Sequence, residues 1–120
     1  MRALIVDDSS AMRAILGMTL KRQGFEIVQA KDGMDALAVL TKIEPVDLIL
    51  IDWNMPVMNG LQLLERIRQQ HEYDRTQILM VTTETGMGQM SEALSAVANE
   101  YIMKPFTADM VMDKLRLVGL

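Results

Sequence analysis

Several residue types are absent or rare in this chain of 120 residues. It has no cysteine, one histidine, one tryptophan, two tyrosines and two phenylalanines. Without cysteine the chain can form neither disulfides nor thiolate metal sites, and it has no thiol nucleophile. The single histidine, His71, lies in the polar run RQQHEYDR and is expected at a solvent-exposed helix end. Catalysis by a cysteine or by a serine–histidine pair is therefore not expected.

Basic charge and long apolar runs are also scarce. Twelve Lys and Arg face sixteen Asp and Glu, a net charge of −4, which argues against nucleic-acid binding because such binding depends on clustered basic residues. The apolar run that follows Arg2 is too short for a signal-peptide core, and no run approaches the roughly 18 residues of a membrane span. We expect one cytoplasmic domain over residues 1–120, a monomer with no membrane partner.

Five short β-type runs alternate with five stretches of helical spacing. Strands are predicted at 2–6, 26–30, 47–51, 77–81 and 100–103, and helices at 10–22, 34–42, 61–70, 87–97 and 107–118. Ser9 or Ser10 is expected to cap the first helix and Gly24 to end it. The apolar faces are expected to include Ile15 and Met34. This alternation predicts an α/β fold with a doubly wound parallel sheet covered by helices on both faces.

Polar residues follow four of the predicted strands at their carboxyl ends. They are Asp7, Asp8, Asp52, Thr82, Thr83 and Lys104. Each has an ordinary structural explanation, such as acidic residues at a helix start or a hydroxyl in a turn. In a parallel sheet, however, these ends share one rim, where such sheets place their sites. Three carboxylates at one spot would repel, and at least one would be pushed towards its neutral form unless a cation relieves the repulsion.

The donors at this rim suit a magnesium ion and phosphoryl chemistry. All the candidate ligands are oxygens, which Mg²⁺ prefers. A carboxylate can attack phosphorus and form an aspartyl phosphate, and phosphoryl transfer depends mainly on positioning and charge neutralisation. Lys104 and the hydroxyl of Thr82 could contact the phosphoryl oxygens. A metal-assisted phosphoryl-transfer site is therefore predicted.

Five sequence motifs carry a resemblance to a known family. They are LIVDDSSAMR, AKDGMDAL, DLILIDWNMPVMNG, ILMVTTE and EYIMKPFTADMV, in this order between about residues 2 and 118. Together they resemble the receiver domain of two-component response regulators, and in particular the stand-alone chemotaxis regulators of the CheY kind. The resemblance implies a flavodoxin-like sheet of five strands in the order 2-1-3-4-5.

The resemblance also implies a role for each matching residue. Asp52 would be the phosphoacceptor. Asp7, Asp8, Asp52 and the main-chain carbonyl of Asn54 would hold Mg²⁺. Thr82 and Lys104 would contact the phosphoryl group, and Thr82 and Tyr101 would act as the switch. The Lys104–Pro105 peptide bond would be cis. Asn54 and Glu84 would tune the dephosphorylation rate.

The expected mechanism is a population shift driven by phosphorylation from a histidine kinase. The output face would comprise the fourth predicted helix, the fifth strand and the fifth helix, and would bind a protein such as the flagellar motor switch. Such a module is not an enzyme, although it catalyses its own phosphorylation and dephosphorylation. The alternatives are a receiver from a larger or non-chemotaxis regulator and a phosphatase that forms an aspartyl phosphate. A nucleotide- or flavin-binding protein is disfavoured because no phosphate-binding loop follows the first strand.

Val97 departs from the family pattern. Receivers often have glycine at this position, where a left-handed residue ends the fourth helix. Valine resists positive φ because it is β-branched. The sequence therefore predicts either that the fourth helix ends differently or that Val97 packs in the core.

Overall fold

Parallel strands form the centre of the molecule. The computed structural model describes residues 1–83, 91, 95 and 97–120. The strands are β1 (Arg2–Val6), β2 (Glu26–Ala30), β3 (Leu48–Asp52), β4 (Gln77–Thr83) and β5 (Glu100–Lys104). They pair in the order β2-β1-β3-β4-β5, all parallel. The predicted fold class and strand order are confirmed.

The helices flank this sheet and begin at side-chain caps. They are α1 (Ser10–Arg22), α2 (Gly33–Leu40), α3 (Gly60–Arg68) and the C-terminal helix (Ala108–Leu117), with a short 3₁₀ turn at His71–Tyr73. Ser9, Asp32, Asn59 and Thr107 each accept a hydrogen bond from a backbone N–H of the first helical turn. Most of the predicted fourth helix, 87–97, lies outside the described residues. Within the described ranges, no helix is both long and apolar enough to cross a bilayer.

The core consists of two apolar layers, one on each face of the sheet. All five residues of β3 are buried, because helices cover this central strand from both sides. Alternate strand residues point to opposite layers, so Ile49 and Ile51 pack with α2 and α3, whereas Leu48 and Leu50 pack with α1 and the C-terminal helix. The unbroken apolar run of β3 therefore reflects its central position.

Two predicted core residues are in fact exposed. Ile15 in α1 is 53% exposed and Met34 in α2 is 56% exposed. In α1 the buried residues are Leu16, Gly17 and Leu20. The buried face of this helix is therefore narrower than the apolar face that the sequence predicted. Neighbouring residues on a helix point about 100° apart, which turns Ile15 away from the sheet.

Two valines have positive φ, a conformation that costs an L-residue roughly 1–2 kcal/mol. Val57 has φ +69°, is 95% exposed, and lies in a γ-turn closed by the N–H of Met58 and the carbonyl of Pro56, 2.8 Å apart. Val97 has φ +73° and is 57% exposed. The expectation that Val97 packs in the core is therefore wrong, and the residue adopts the left-handed conformation itself despite its β-branched side chain. How the fourth predicted helix ends lies outside the described residues.

The Arg68 guanidinium stabilises the chain around Val97. It donates to the carbonyl of Val97 at 2.9 Å and to Asn99 Oδ1 at 2.8 Å. It also donates to the carbonyls of Tyr73 and Thr76, at 2.6 Å and 2.9 Å. Four charge-assisted hydrogen bonds offset the backbone strain of one residue. Arg68 thus joins the end of α3 to the segments that lead into β4 and β5.

Replacement of Val57 by glycine should stabilise the protein. Glycine adopts positive φ without steric cost, although its greater freedom in the unfolded chain offsets part of the gain. We expect Val57→Gly to raise the free energy of unfolding by about 1 kcal/mol. Urea denaturation followed by the fluorescence of Trp53, the only tryptophan, measures this change.

Val118→Gly is the matched control, because Val118 has φ −100° and is half-buried. The same substitution there should destabilise the protein, since it removes packing and relieves no strain. Equal losses of stability in the two variants would refute the assignment of strain to Val57.

Candidate functional site

Three carboxylates meet at the carboxyl rim of β1 and β3. Asp7, Asp8 and Asp52 each offer one oxygen, and these oxygens lie within 4.8 Å of one another. Asp7 and Asp52 are buried and Asp8 is exposed. The parallel strands β1 and β3 are adjacent, so the residues that follow β1 and the last residue of β3 lie at one place. The prediction that the three acids share one rim agrees with this geometry.

Lys104 provides the positive charge nearest to these acids. Its Nζ lies 3.1 Å from Asp52 Oδ1 and 3.9 Å from Asp7 Oδ2, and its side chain is half-buried. It is the last residue of β5, and the Lys104–Pro105 peptide bond is cis. Residues at the carboxyl ends of the first, third and fifth strands therefore form a compact group of opposite charges.

Burial raises the pKa of both inner carboxyls. For Asp7 the loss of water is the main cause; a hydrogen bond from the Ser9 N–H opposes it, and the charge of Asp52 adds to it. For Asp52 burial is again the main cause, and the hydrogen bond and charge of Lys104 counter it. The pKa values of these acids are raised, as predicted, but loss of solvation contributes more to the rise than repulsion between the acids does.

One oxygen of Asp7 has no hydrogen-bond partner. Asp7 Oδ1 accepts from the N–H of Ser9 at 2.8 Å, whereas Oδ2 is the one buried side-chain N or O atom without a partner in the part of the chain that the structure describes. An unpartnered buried oxygen is costly. It lies among carboxylates that could share a cation, so the donor set fits Mg²⁺, which takes oxygen ligands.

Sequence profiles place the chain in a family. The profile of the response regulator receiver domain matches residues 3–116. The chain belongs to the response regulator receiver family.

This receiver is similar to several chemotaxis proteins. It is 46% identical over 116 residues to a chemotaxis protein CheY homologue of Campylobacter jejuni, covering 96% of this chain and 89% of that protein. It is 41% identical to chemotaxis protein CheY1 of Helicobacter pylori, covering 98% of this chain and 96% of that protein. The solved structure of CheY4 from Vibrio cholerae superposes with a TM-score of 0.90 at 38% identity, covering 98% and 97% of the two chains.

The remaining predicted residues of the receiver site lie at different depths. Thr82 is buried on β4, and its hydroxyl donates to the carbonyl of Thr83 at 3.2 Å. Asn54 is exposed, and its backbone N–H helps to lower the pKa of Asp52. Tyr101 is half-buried on β5. Glu84 lies outside the described residues.

The structure also identifies supporting residues that the sequence did not assign. Arg13 Nη1 donates to the carbonyl of Asp7 at 2.6 Å. A Cβ on Gly60 would lie 2.6 Å from the Asp52 carbonyl, so only glycine lets α3 begin this close to Asp52. Lys114 lies over the Tyr101 ring. Gly60 belongs to a matching motif, which is a usable signal, but nothing in the sequence links Lys114 to Tyr101.

Removal of the Asp7 charge should stabilise the metal-free receiver at neutral pH. The folded pKa of Asp7 is raised above 3.8, so folding is penalised at pH values above the folded pKa and the penalty disappears below pH 3.8. We expect Asp7→Asn to raise the free energy of unfolding at pH 7 by about 1 kcal/mol. The gain should shrink as the pH falls towards 4, as measured by urea denaturation in EDTA.

Asp113→Asn serves as the control, because Asp113 is an exposed acid on the C-terminal helix. It should change stability little at any pH. Added Mg²⁺ should stabilise the wild type more than Asp7→Asn and so narrow the difference. A gain for Asp7→Asn that is the same from pH 4 to pH 7.5 would contradict the role of burial.

Proposed function

We propose that this receiver is a phosphorylation-switched signalling module in which Asp52 accepts a phosphoryl group from a histidine kinase. The observation that carries the proposal is the 3.1 Å contact between Lys104 Nζ and Asp52 Oδ1 beside two further acids. A structural ion pair alone would not need Asp7 and Asp8. In the reaction a carboxylate oxygen of Asp52 attacks phosphorus, the P–N bond to the kinase histidine breaks, and an acyl phosphate forms.

The receiver's own residues keep Asp52 reactive and stabilise the product. Attack requires the ionised carboxylate, and Lys104 opposes the rise in the pKa of Asp52 that burial causes. After transfer, the same ammonium can contact a phosphoryl oxygen. The hydroxyl of Thr82 now donates to the carbonyl of Thr83, and it must break that hydrogen bond to donate to the phosphoryl group. This exchange is the first step of the proposed switch.

A magnesium ion would be held by Asp7, Asp8, Asp52 and the main-chain carbonyl of Asn54. When bound, it supplies positive charge that offsets the carboxylates and the incoming phosphoryl oxygens. The unpartnered Oδ2 of Asp7 supports this assignment, because a cation would satisfy it. Asn54 follows Asp52 by two residues, and Glu84 directly follows the last residue of β4 in the sequence. Both are proposed to tune the rate of dephosphorylation.

The proposed output face includes β5, the C-terminal helix and the region of residues 87–97. Tyr101 and Met103 are half-buried on β5, an edge strand within the described sheet. The similarity to chemotaxis proteins supports a role in chemotaxis, with the flagellar motor switch as the partner. We propose that the chain acts as a cytoplasmic monomer over residues 1–120, as a signalling module and not as an enzyme acting on other substrates.

Incubation with acetyl phosphate and Mg²⁺ tests the acceptor. We expect about one phosphoryl group per chain by intact mass, because Asp52 is a carboxylate placed beside Lys104 and the metal ligands. Asp52→Asn should abolish labelling while the protein remains folded by circular dichroism.

Asp113→Asn is the control, because Asp113 is an exposed acid on the C-terminal helix and not one of the three clustered carboxylates. This variant should be labelled like the wild type. Labelling of the Asp52→Asn variant at the wild-type rate would show that another residue accepts the phosphoryl group. Labelling of the wild type at the same rate in EDTA as in Mg²⁺ would instead remove Mg²⁺ from the proposal.

A substitution at Tyr101 separates output from phosphorylation. Tyr101→Ala should lower binding to a purified flagellar switch protein in the presence of acetyl phosphate and Mg²⁺ about tenfold, because a buried aromatic contact is lost. Labelling of Asp52 should stay within about twofold of the wild type, since Tyr101 lies in β5 three residues before Lys104 and is not among the proposed phosphorylation residues. Equal binding by Tyr101→Ala and the wild type would exclude Tyr101 from the output face.

A further inference from the structure

A row of polar and aromatic contacts crosses the edge of the sheet at β5. Lys114 Nζ on the C-terminal helix lies 3.2 Å from Glu100 Oε1 and 4.3 Å from the centre of the Tyr101 ring. Glu100 Oε1 also accepts a hydrogen bond from the backbone N–H of Tyr101 at 3.1 Å. These three residues, Glu100, Tyr101 and Lys114, are called the edge triad below.

The edge triad joins the two layers of the fold. Tyr101 packs against the layer that contains α2 and α3, whereas its neighbour Ile102 packs in the layer of α1 and the C-terminal helix. The C-terminal helix, which carries Lys114, packs in that second layer, so the Lys114 side chain reaches around β5 to the face of the Tyr101 ring. This path is open because β5 is an edge strand of the described sheet.

The contacts of the edge triad reinforce one another. An ammonium over the face of an aromatic ring is attracted to it, more strongly where water is partly excluded. The side chains of Lys114 and Glu100 are 28% and 22% exposed, so this ion pair is less screened than a surface pair. The N–H of Tyr101 fixes the Glu100 carboxylate, and the carboxylate in turn holds the ammonium over the ring.

We propose that Lys114, held by Glu100, is a positioning residue that sets the resting position of the Tyr101 ring. The inference rests on the proposed function, in which Tyr101 belongs to the output face, because only then does the ring position affect signalling. Lys114 attracts the ring in the position described here. As the proposed switch residue, Tyr101 takes a second ring position that phosphorylation favours, so phosphorylation must work against the edge triad. Loss of the ammonium should then shift the ratio of the two ring positions roughly two- to fivefold.

Fluorine NMR of 3-fluorotyrosine-labelled protein measures the ring position. The chain has only two tyrosines, Tyr73 and Tyr101, so a Tyr73→Phe variant assigns both signals. Spectra are recorded without phosphodonor. Lys114→Met keeps an unbranched apolar side chain and removes the charge, so the Tyr101 signal should move and the second ring position should gain roughly two- to fivefold in population.

Three further variants separate positioning from simple packing. Lys114→Arg retains a cation over the ring and should keep the wild-type signal. Glu100→Gln leaves the ammonium but loosens its hold, so the signal should move in the same direction as in Lys114→Met, but less. Lys21→Met removes an exposed lysine of α1 and should have no effect.

An unchanged Tyr101 signal in Lys114→Met would overturn the proposal. A Lys114→Arg signal displaced as far as that of Lys114→Met would also overturn it, because the charge would then be irrelevant. The NMR experiment needs no phosphorylation and can be repeated with Asp52→Asn. Failure of the edge triad is therefore distinguishable from failure of Asp52 to accept a phosphoryl group.

Discussion

The ion pair between Lys104 and Asp52 is the contact on which the rest of the site depends. Two buried carboxyls lie side by side, and burial raises the pKa of each. Lys104 Nζ, 3.1 Å from Asp52 Oδ1, is the charge that opposes this rise in the pKa of Asp52. Since buried charges are costly unless paired, the sheet must hold β3 and β5 so that their final residues meet. The fold thus positions one lysine and one aspartate, and the other acids remain available for a metal.

Much of this arrangement could be predicted from the sequence, because parallel strands place their carboxyl ends on one rim. The alternation of β-type and helical spacing gave five strands and their approximate bounds, and Asp7, Asp8, Asp52 and Lys104 meet as expected. Helix faces were less predictable. Ile15 fits an apolar stripe by spacing, yet the residues of α1 that are buried are Leu16, Gly17 and Leu20. Spacing gives the period of a helix but not its rotation about its axis.

Other features could not be predicted because they depend on tertiary contacts. Val97 has positive φ against its own preference, and the guanidinium of Arg68 supplies the hydrogen bonds that offset the strain. The two residues are 29 positions apart, so no local pattern links them. The contact of Lys114 with Tyr101 likewise requires the C-terminal helix to pack beside β5. Local preference is overruled where a distant side chain supplies compensating interactions.

These contacts together constrain β5 at three points. Arg68 and Asn99 fix the segment at its start, Lys114 holds Tyr101 in its middle, and Asp52 binds Lys104 at its end. As an edge strand, β5 pairs only with β4 among the described strands, so these side chains contribute much of what fixes it. A phosphoryl group that redirects Lys104 would release the end of β5 while its start stays anchored. Any movement of β5 that follows this release would then include the part of the strand where Tyr101 lies.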